Sequence, residues 1–279
     1  MGKKVGIVCC SNGQLVTYRE EINNLLLELQ SRDIEPVLSD YIYSDGSVVS
    51  GSAEERANAL MDFYKDDLIM DIYDISGGDI ANEVLPYLDF DIIRKSGKIF
   101  YGYSDLTTVI NGIYSMTGNE SVLYQVKNLV WDKTGTQKKQ FLSDEMFKFD
   151  YEFINHASMK GILVGGNIRC LLKLAGTKFF PDMNNKILLL EAFSGLEPQI
   201  RTYFAQLAQL GVFKKVNGVL LGTFTEMDKR NKTADVINVA REYIGCEVPL
   251  AKTNDIGHSS LSKAVVIGRE YFFINENNN

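Results

Sequence analysis

The sequence predicts an α/β protein whose N-terminal part is a parallel, doubly wound sheet and whose C-terminal part repeats the same kind of pattern. Three observations carry this. Short β-branched or aromatic runs alternate with helical periodicities along the chain, as in parallel strands joined by helical crossovers. Ser104 stands where a strand pattern gives way to a helix pattern. Asp132–Gln140 is polar, lacks apolar periodicity and separates two such series of elements, as a connection between domains does. The expected division is an N-terminal domain over 1–125, a connection over 126–158 and a C-terminal domain over 159–279.

In order, Lys4–Cys9 reads as the first strand, and Tyr18–Ser31 as an amphipathic helix with Ile22, Leu25, Leu26 and Leu29 on one face. Pro36–Leu38 suggests the next strand, and 45–51 a mostly polar loop. The capping box Ser52-Ala-Glu-Glu55 opens a helix that turns Ala57, Leu60, Met61 and Tyr64 inward. Asp71–Ile75 is a short strand ending in Ser76-Gly77-Gly78-Asp79, with a helix over Ile80–Tyr87 after it. Ile99, Phe100, Tyr101 and Tyr103 form a buried strand. Beyond Ser104, Leu106, Val109, Ile110 and Ile113 make the stripe of a helix that Gly118 can end.

In the second half, Gly161–Asn167 reads as a strand with a tight turn, Ile168–Leu174 as a helix and Lys186–Glu191 as an apolar strand. Pro198–Leu210 is a helix with proline in its first turn. Val216–Gly222 is a strand, Ala234–Ile244 a helix, and Ala264–Ile267 with Tyr271–Ile274 a late hairpin around Gly268. The Asn-rich tail after Asn275 reads as a frayed end.

Composition narrows the function. A net charge of −7 argues against nucleic acid or an anionic membrane surface as the main partner. No apolar run approaches the roughly 20 residues of a membrane-spanning helix. The apolar stretch before Ser11 is too short for a signal-peptide core. The four cysteines, Cys9, Cys10, Cys170 and Cys246, show no zinc or redox spacing and are expected as buried free thiols of a reducing cytoplasm.

Ser104, with Gly102 two residues earlier, has the setting of a nucleophile elbow, a hydroxyl held above the sheet edge beside helix N-terminal N–H groups. The plainer reading is a helix cap, and Leu106 stands where the elbow motif has its second glycine. A nucleophilic serine needs a base, usually histidine, and an acceptor for the base's other nitrogen. Only two histidines exist. His258 lies in the Gly/Ser-rich loop Asn254–Ser262, whereas His156 reads as a solvated residue at the connection. Glu191 closes the apolar run Ile187–Leu190; a carboxylate there is costly to bury unless paired, and otherwise stands in water past the sheet edge. Asp105 is the nearest rival acid, better placed to favour a helix N-terminus.

Gly102-Tyr-Ser-Asp-Leu-Thr107, preceded by Gly77-Gly78 and by Leu85-Pro-Tyr-Leu-Asp-Phe-Asp-Ile-Ile-Arg94, resembles the LD-carboxypeptidase (muramoyltetrapeptide carboxypeptidase) family of serine peptidases. Gly161–Asn167, Leu188–Glu191 and Gly257-His258 agree in the same order. The family also includes peptidases that confer immunity to microcin C. The resemblance implies a smaller C-terminal α/β domain carrying Glu and His, with the active site between the domains. Ser104 is then the nucleophile, His258 the base and Glu191 the group orienting it, with the N–H groups of Gly78 and Asp105 as oxyanion hole. It further implies no cofactor or metal, a small peptide substrate, a homodimer and a cytoplasmic location. The leading substrate is a peptidoglycan tetrapeptide losing a terminal D-alanine across an L,D-linkage, and the second a peptidyl-nucleotide of the microcin type. A non-catalytic muropeptide-binding protein is the alternative of another class. Arg169, Lys173 and Arg230 are the candidates to grip a substrate carboxylate. A nucleotide-binding oxidoreductase fits less well, because Cys9-Cys10-Ser11-Asn12-Gly13 follows the first strand in place of Gly-x-Gly-x-x-Gly.

Overall fold

The computed structural model describes residues 2–44 and 46–275; the tail beyond Asn275 and Asp45 lie outside the described residues. The first half runs β1 (Lys3–Val8), α1 (Arg19–Gln30), β2 (Ile34–Leu38), α2 (Ala53–Lys65), β3 (Ile69–Asp74), α3 (Phe90–Ser96), β4 (Ile99–Gly102), α4 (Thr107–Thr117) and β5 (Ser121–Leu123). The connection holds α5 (Asn128–Trp131), α6 (Thr136–Gln140) and β6 (Glu152–Asn155). The second half runs β7 (Ser158–Asn167), α7 (Ile168–Leu172), β8 (Lys186–Ala192), α8 (Glu197–Gln209), β9 (Gly218–Phe224), α9 (Thr225–Lys229), α10 (Thr233–Ile244), β10 (Leu250–Lys252), β11 (Val265–Ile267) and β12 (Glu270–Ile274).

Two six-stranded sheets result, ordered β11-β5-β4-β3-β1-β2 and β12-β7-β8-β9-β10-β6. In the first, β1 to β5 are mutually parallel and β11 closes the edge antiparallel to β5. Strand order reverses between β1 and β3, the switch point where open α/β sheets collect ligands beyond the carboxyl ends of their strands. In the second sheet β7 to β10 are parallel, flanked by antiparallel β12 and β6. The α/β class expected from the alternation is the observed one.

The helices form where the sequence supplies their ends. Ser52 Oγ accepts from Glu55 N at 3.2 Å, and Glu55 Oε2 accepts from Ser52 N at 2.8 Å, so α2 starts on a full capping box. Gly118 ends α4 in the left-handed conformation. One buried core packs α2, α3 and α4 between the two sheets, joining Leu60, Val109 and Ile110 to Leu163, Ile187 and Leu220. Separate cores lie under α1 on the outer face of the first sheet and under α8 and α10 on the outer face of the second.

Four expectations are corrected. The segment after Gly78 forms a 3-10 helix, Ala81–Tyr87, containing Pro86, which has no N–H to give an α-helical ladder. Gly165 and Gly166 make no turn but lie within the ten-residue β7, where Gly165 exchanges two hydrogen bonds with Asn111 of α4. The late hairpin does not form. Its two strands join different sheets, β11 pairing with β5 and β12 with β7. Of the four thiols, Cys9, Cys10 and Cys170 are buried and Cys246 is exposed.

Candidate active site

β4 ends at Gly102, and the backbone turns sharply at Ser104, whose φ of 58° is left-handed. A non-glycine residue rarely adopts that conformation, and strain of this kind gathers at functional sites. The elbow then winds through a 3-10 turn into α4. Gly102 is needed for closeness: a Cβ there would lie 2.7 Å from Leu106 Cβ. Ser104 does not cap the helix. Its Oγ lies 3.0 Å from His258 Nε2.

His258 Nδ1 stands 2.7 Å from Glu191 Oε2, and Glu191 Oε1 accepts from Asn167 Nδ2 at 3.0 Å. A carboxylate can only accept, so Nδ1 carries the proton and Nε2 is left to accept from the Ser104 hydroxyl. Glu191 is 0% exposed. Of the two readings of this residue, the buried and paired one holds. β8 is covered on both faces, and its last residues carry the carboxylate under the imidazole. The loop bearing His258 is fastened by Gly257 N donating to Ser262 Oγ at 3.0 Å and Thr223 N to Ile256 O at 2.8 Å. Tyr103 and Phe193 flank the imidazole at 5.0 and 4.9 Å between ring centres. Burial, and the charge of Glu191 beside it, push the Tyr103 hydroxyl well above its usual range.

A second path joins the same residues. Thr107 Oγ1, in the first turn of α4, accepts from Asn167 N at 3.0 Å, and Asn167 in turn holds Glu191. The helix that leaves the elbow thus fixes the strand end that orients the imidazole.

Gly78 and Asp105 sit on the adjacent loops after β3 and β4, and the Asp105 carboxylate ties these loops together. It accepts from Ser11 Oγ at 2.7 Å and Ala81 N at 2.8 Å, and pairs with Lys173, which also donates to Asp79 O at 2.8 Å. Gly78 has φ 132°, and a Cβ there would lie 2.2 Å from Asn12 Cγ. Arg169 pairs with Asp79 and holds its carboxyl below the usual range. Arg230 pairs with Glu226 on α9, away from this cluster. All three cations named from the sequence are therefore engaged by carboxylates.

A cavity of about 570 Å³ opens over the elbow at the switch point, lined by Ser104 and His258 and also by Gln14, Lys127 and Trp131. Sequence reasoning missed Asn167 and Lys127. The one signal for Lys127 was a charged residue between Val126 and Leu129, just past a strand end. The described residues contain no group of three or more His, Cys, Asp or Glu able to hold a metal, and no helix long and apolar enough to cross a membrane.

A hydroxyl, an imidazole and a buried carboxylate in line, on a two-domain α/β frame, are the parts of a serine hydrolase. Residues 5–124 match the family model of the LD-carboxypeptidase N-terminal domain and residues 160–271 that of the C-terminal domain. The chain belongs to the LD-carboxypeptidase family and is a serine peptidase of the carboxypeptidase type.

A Bacillus subtilis protein named as a probable murein peptide carboxypeptidase is 28% identical over 265 residues, covering 89% of this chain and 82% of that one. The microcin C7 self-immunity protein MccF of Escherichia coli is 24% identical over 298 residues, covering 93% of this chain and 87% of that one. The solved structure of MccF with aspartyl sulfamoyl adenosine superposes with a TM-score of 0.86 at 22% identity, covering 99% of this chain and 94% of that one. The muramoyltetrapeptide carboxypeptidase of Oxalobacter formigenes gives 0.77 at 20% identity, covering 98% and 96%. These superpositions establish a shared fold.

Proposed function

We propose that this protein removes the C-terminal residue from a small peptide, with a peptidoglycan tetrapeptide ending in D-alanine as substrate and the L,D-linkage as the bond cut. The observation that carries this is the unbroken line from Ser104 Oγ through His258 to Glu191, with contacts of 3.0 and 2.7 Å. Ser104 Oγ attacks the carbonyl carbon while its proton passes to His258 Nε2, and Glu191 steadies the imidazolium that forms. The tetrahedral oxyanion takes the N–H groups of Gly78 and Asp105, each donor worth about 3–4 kcal/mol in comparable sites. Collapse breaks the C–N bond, His258 returns the proton to the leaving amine, and an acyl-enzyme remains on Ser104. Water, deprotonated by His258, then releases the shortened peptide and frees the serine.

Incubating the protein with L,D- and D,D-linked peptides and following released residues by mass spectrometry tests this. Cleavage of the L,D-linked tetrapeptide, lost in Ser104→Ala and in His258→Ala, is the expected result. Turnover by a folded Ser104→Ala protein would refute the mechanism. Binding without product in the parent protein would favour the non-catalytic muropeptide-binding alternative. A second reading keeps the chemistry but cuts a peptidyl-nucleotide of the microcin type. Trp131, 38% exposed in the cavity wall, supports it, because an open indole is a surface on which a base can stack. The same screen with a peptidyl-nucleotide separates the two. The family resemblance also supports a cytoplasmic homodimer, which analytical ultracentrifugation of the purified protein tests for its oligomeric part.

A further inference from the structure

Lys127 follows β5, three residues after Tyr124, whose N–H donates to Gly102 O at 2.9 Å. It therefore stands at the carboxyl end of the strand beside the one that leads to Ser104. The residue is 7% exposed, yet it lines the cavity that Ser104 and His258 share. Its Nζ donates to Gln14 Oε1 at 2.9 Å and lies 4.6 Å from the centre of the Trp131 ring. Gln14 is held in that orientation because its Nε2 donates to Ile75 O at 3.2 Å. Among the described residues Lys127 enters no ion pair, unlike Arg169, Lys173 and Arg230.

An ammonium has three protons to give and is expensive to bury without an acceptor for them. Here one neutral amide oxygen and one ring face meet it. The charged or titratable groups facing it are Glu21 at the cavity wall and, behind, Asp74 and the Cys9 thiol. Asp74 is already taken up by Cys10 N, Ser76 N and Ser76 Oγ, at 2.7, 2.7 and 2.5 Å. Burial lowers the Lys127 pKa from the usual lysine range, so an anion that reaches the ammonium favours the charged form that burial disfavours.

We infer that Lys127, flanked by Gln14 and Trp131, is the oxyanion-binding residue of this cavity, taking the terminal carboxylate of a peptide substrate or the phosphate of a peptidyl-nucleotide. The inference rests on the peptide-cleaving reading above for the identity of the ligand, not for the existence of the site. An exopeptidase must tell a terminal peptide bond from an internal one, and the charge of the free carboxylate is the largest difference between them. The three cations named from the sequence are paired with carboxylates, and among the described residues this buried one is not.

The test uses the full-length Ser104→Ala protein, which binds without turnover, and isothermal titration. The ligands are a tetrapeptide ending in D-alanine as free acid, the same peptide as C-terminal amide, and adenosine 5′-monophosphate. A charge-assisted hydrogen bond predicts that the acid binds about tenfold or more tighter than the amide, and that Lys127→Gln brings the two to parity. Adenosine monophosphate binding that Lys127→Gln abolishes, without an acid–amide difference, supports the site and identifies its oxyanion as a phosphate. An acid–amide preference that Lys127→Gln leaves intact overturns the inference, as does the absence of both an acid–amide difference and Lys127-dependent binding of adenosine monophosphate. Lys127→Arg, which keeps the charge, should retain most of the preference and guards against a misfolded glutamine variant. Absence of cleavage by the Ser104-intact protein, with the binding ratio as expected, would count against the peptidase reading alone.

Discussion

Glu191→Gln tests the site with the least change of shape, and the surroundings dictate what the amide must do. Suppose its oxygen keeps the hydrogen bond from Asn167 Nδ2, now at 3.0 Å. Its NH2 then faces His258 Nδ1 and forces the imidazole into the tautomer with the proton on Nε2, so the Ser104 hydroxyl loses its acceptor. Suppose instead the amide turns over to accept from His258. Two NH2 groups then oppose each other, and Asn167 cannot turn to relieve them, because its Oδ1 caps α7 by accepting from Cys170 N at 3.3 Å. Leaving a buried donor unmade costs about 1–3 kcal/mol, so the wrong tautomer alone lowers turnover roughly five- to 150-fold, and losing the negative charge that steadies the imidazolium supplies the remainder. Turnover should fall about 10⁴-fold, the scale seen when a triad acid becomes its amide in serine peptidases. Stability should change little, since losing the charge-assisted hydrogen bond is offset by no longer burying a charge. A net change of 1 kcal/mol would move the melting temperature by only about 2–4 °C for a chain of this size. The assay is release of the C-terminal residue, followed by mass spectrometry, alongside a circular dichroism melt. A Glu191→Gln protein that melts like the parent and turns over within tenfold of it would refute the assigned role of Glu191.

Gly78→Ala places a Cβ 2.2 Å from Asn12 Cγ at a backbone angle alanine avoids; kcat should drop about 10²–10³-fold if the N–H of this residue holds the oxyanion, and an unchanged kcat would count against that role. Lys173→Met leaves Asp105, 0% exposed, charged without its cation; urea denaturation should show a loss of about 3–5 kcal/mol, and no loss would mean that Ser11 and Ala81 suffice. Burial lowers the Lys127 pKa from the ordinary 10.5, so its ammonium is lost as pH rises through the lowered value. Binding of the peptide acid to Ser104→Ala should therefore weaken below pH 10.5, and Lys127→Arg should carry it to higher pH; a flat profile up to 10.5 counts against the assignment.

The strand–helix alternation was legible because strands covered on both faces are written as apolar runs, as in Ile187–Leu190, and helices as stripes with marked ends, as from Ser52 to Tyr64. Ser104, His258 and Glu191 were legible as types in suggestive places, but the residues alone left the cap, loop and sheet-edge readings open, and resemblance chose among them. What could not be read was set by partners distant in sequence. The strain at Ser104, the cap-and-clamp role of Asn167, and the capture of Arg169 and Lys173 by Asp79 and Asp105 all depend on which strand ends meet at the switch point. The predicted hairpin failed for the same reason: nothing local to 264–274 records that two different sheets need an edge strand there.

That last strand pair has a mechanical consequence. The segment bearing His258 is strung between β10 in one sheet and β11 in the other, so the imidazole hangs on a tether anchored at both banks of the cleft. Ser104 follows a strand of the first sheet and Glu191 lies on a strand of the second, so parting the sheets would break one of the two hydrogen bonds of the imidazole. Entry by way of the cavity mouth leaves the machinery assembled; entry by way of parting halves would dismantle it. For the same reason the two halves are not separable modules, since a chain cut within 126–158 would leave the first sheet without β11.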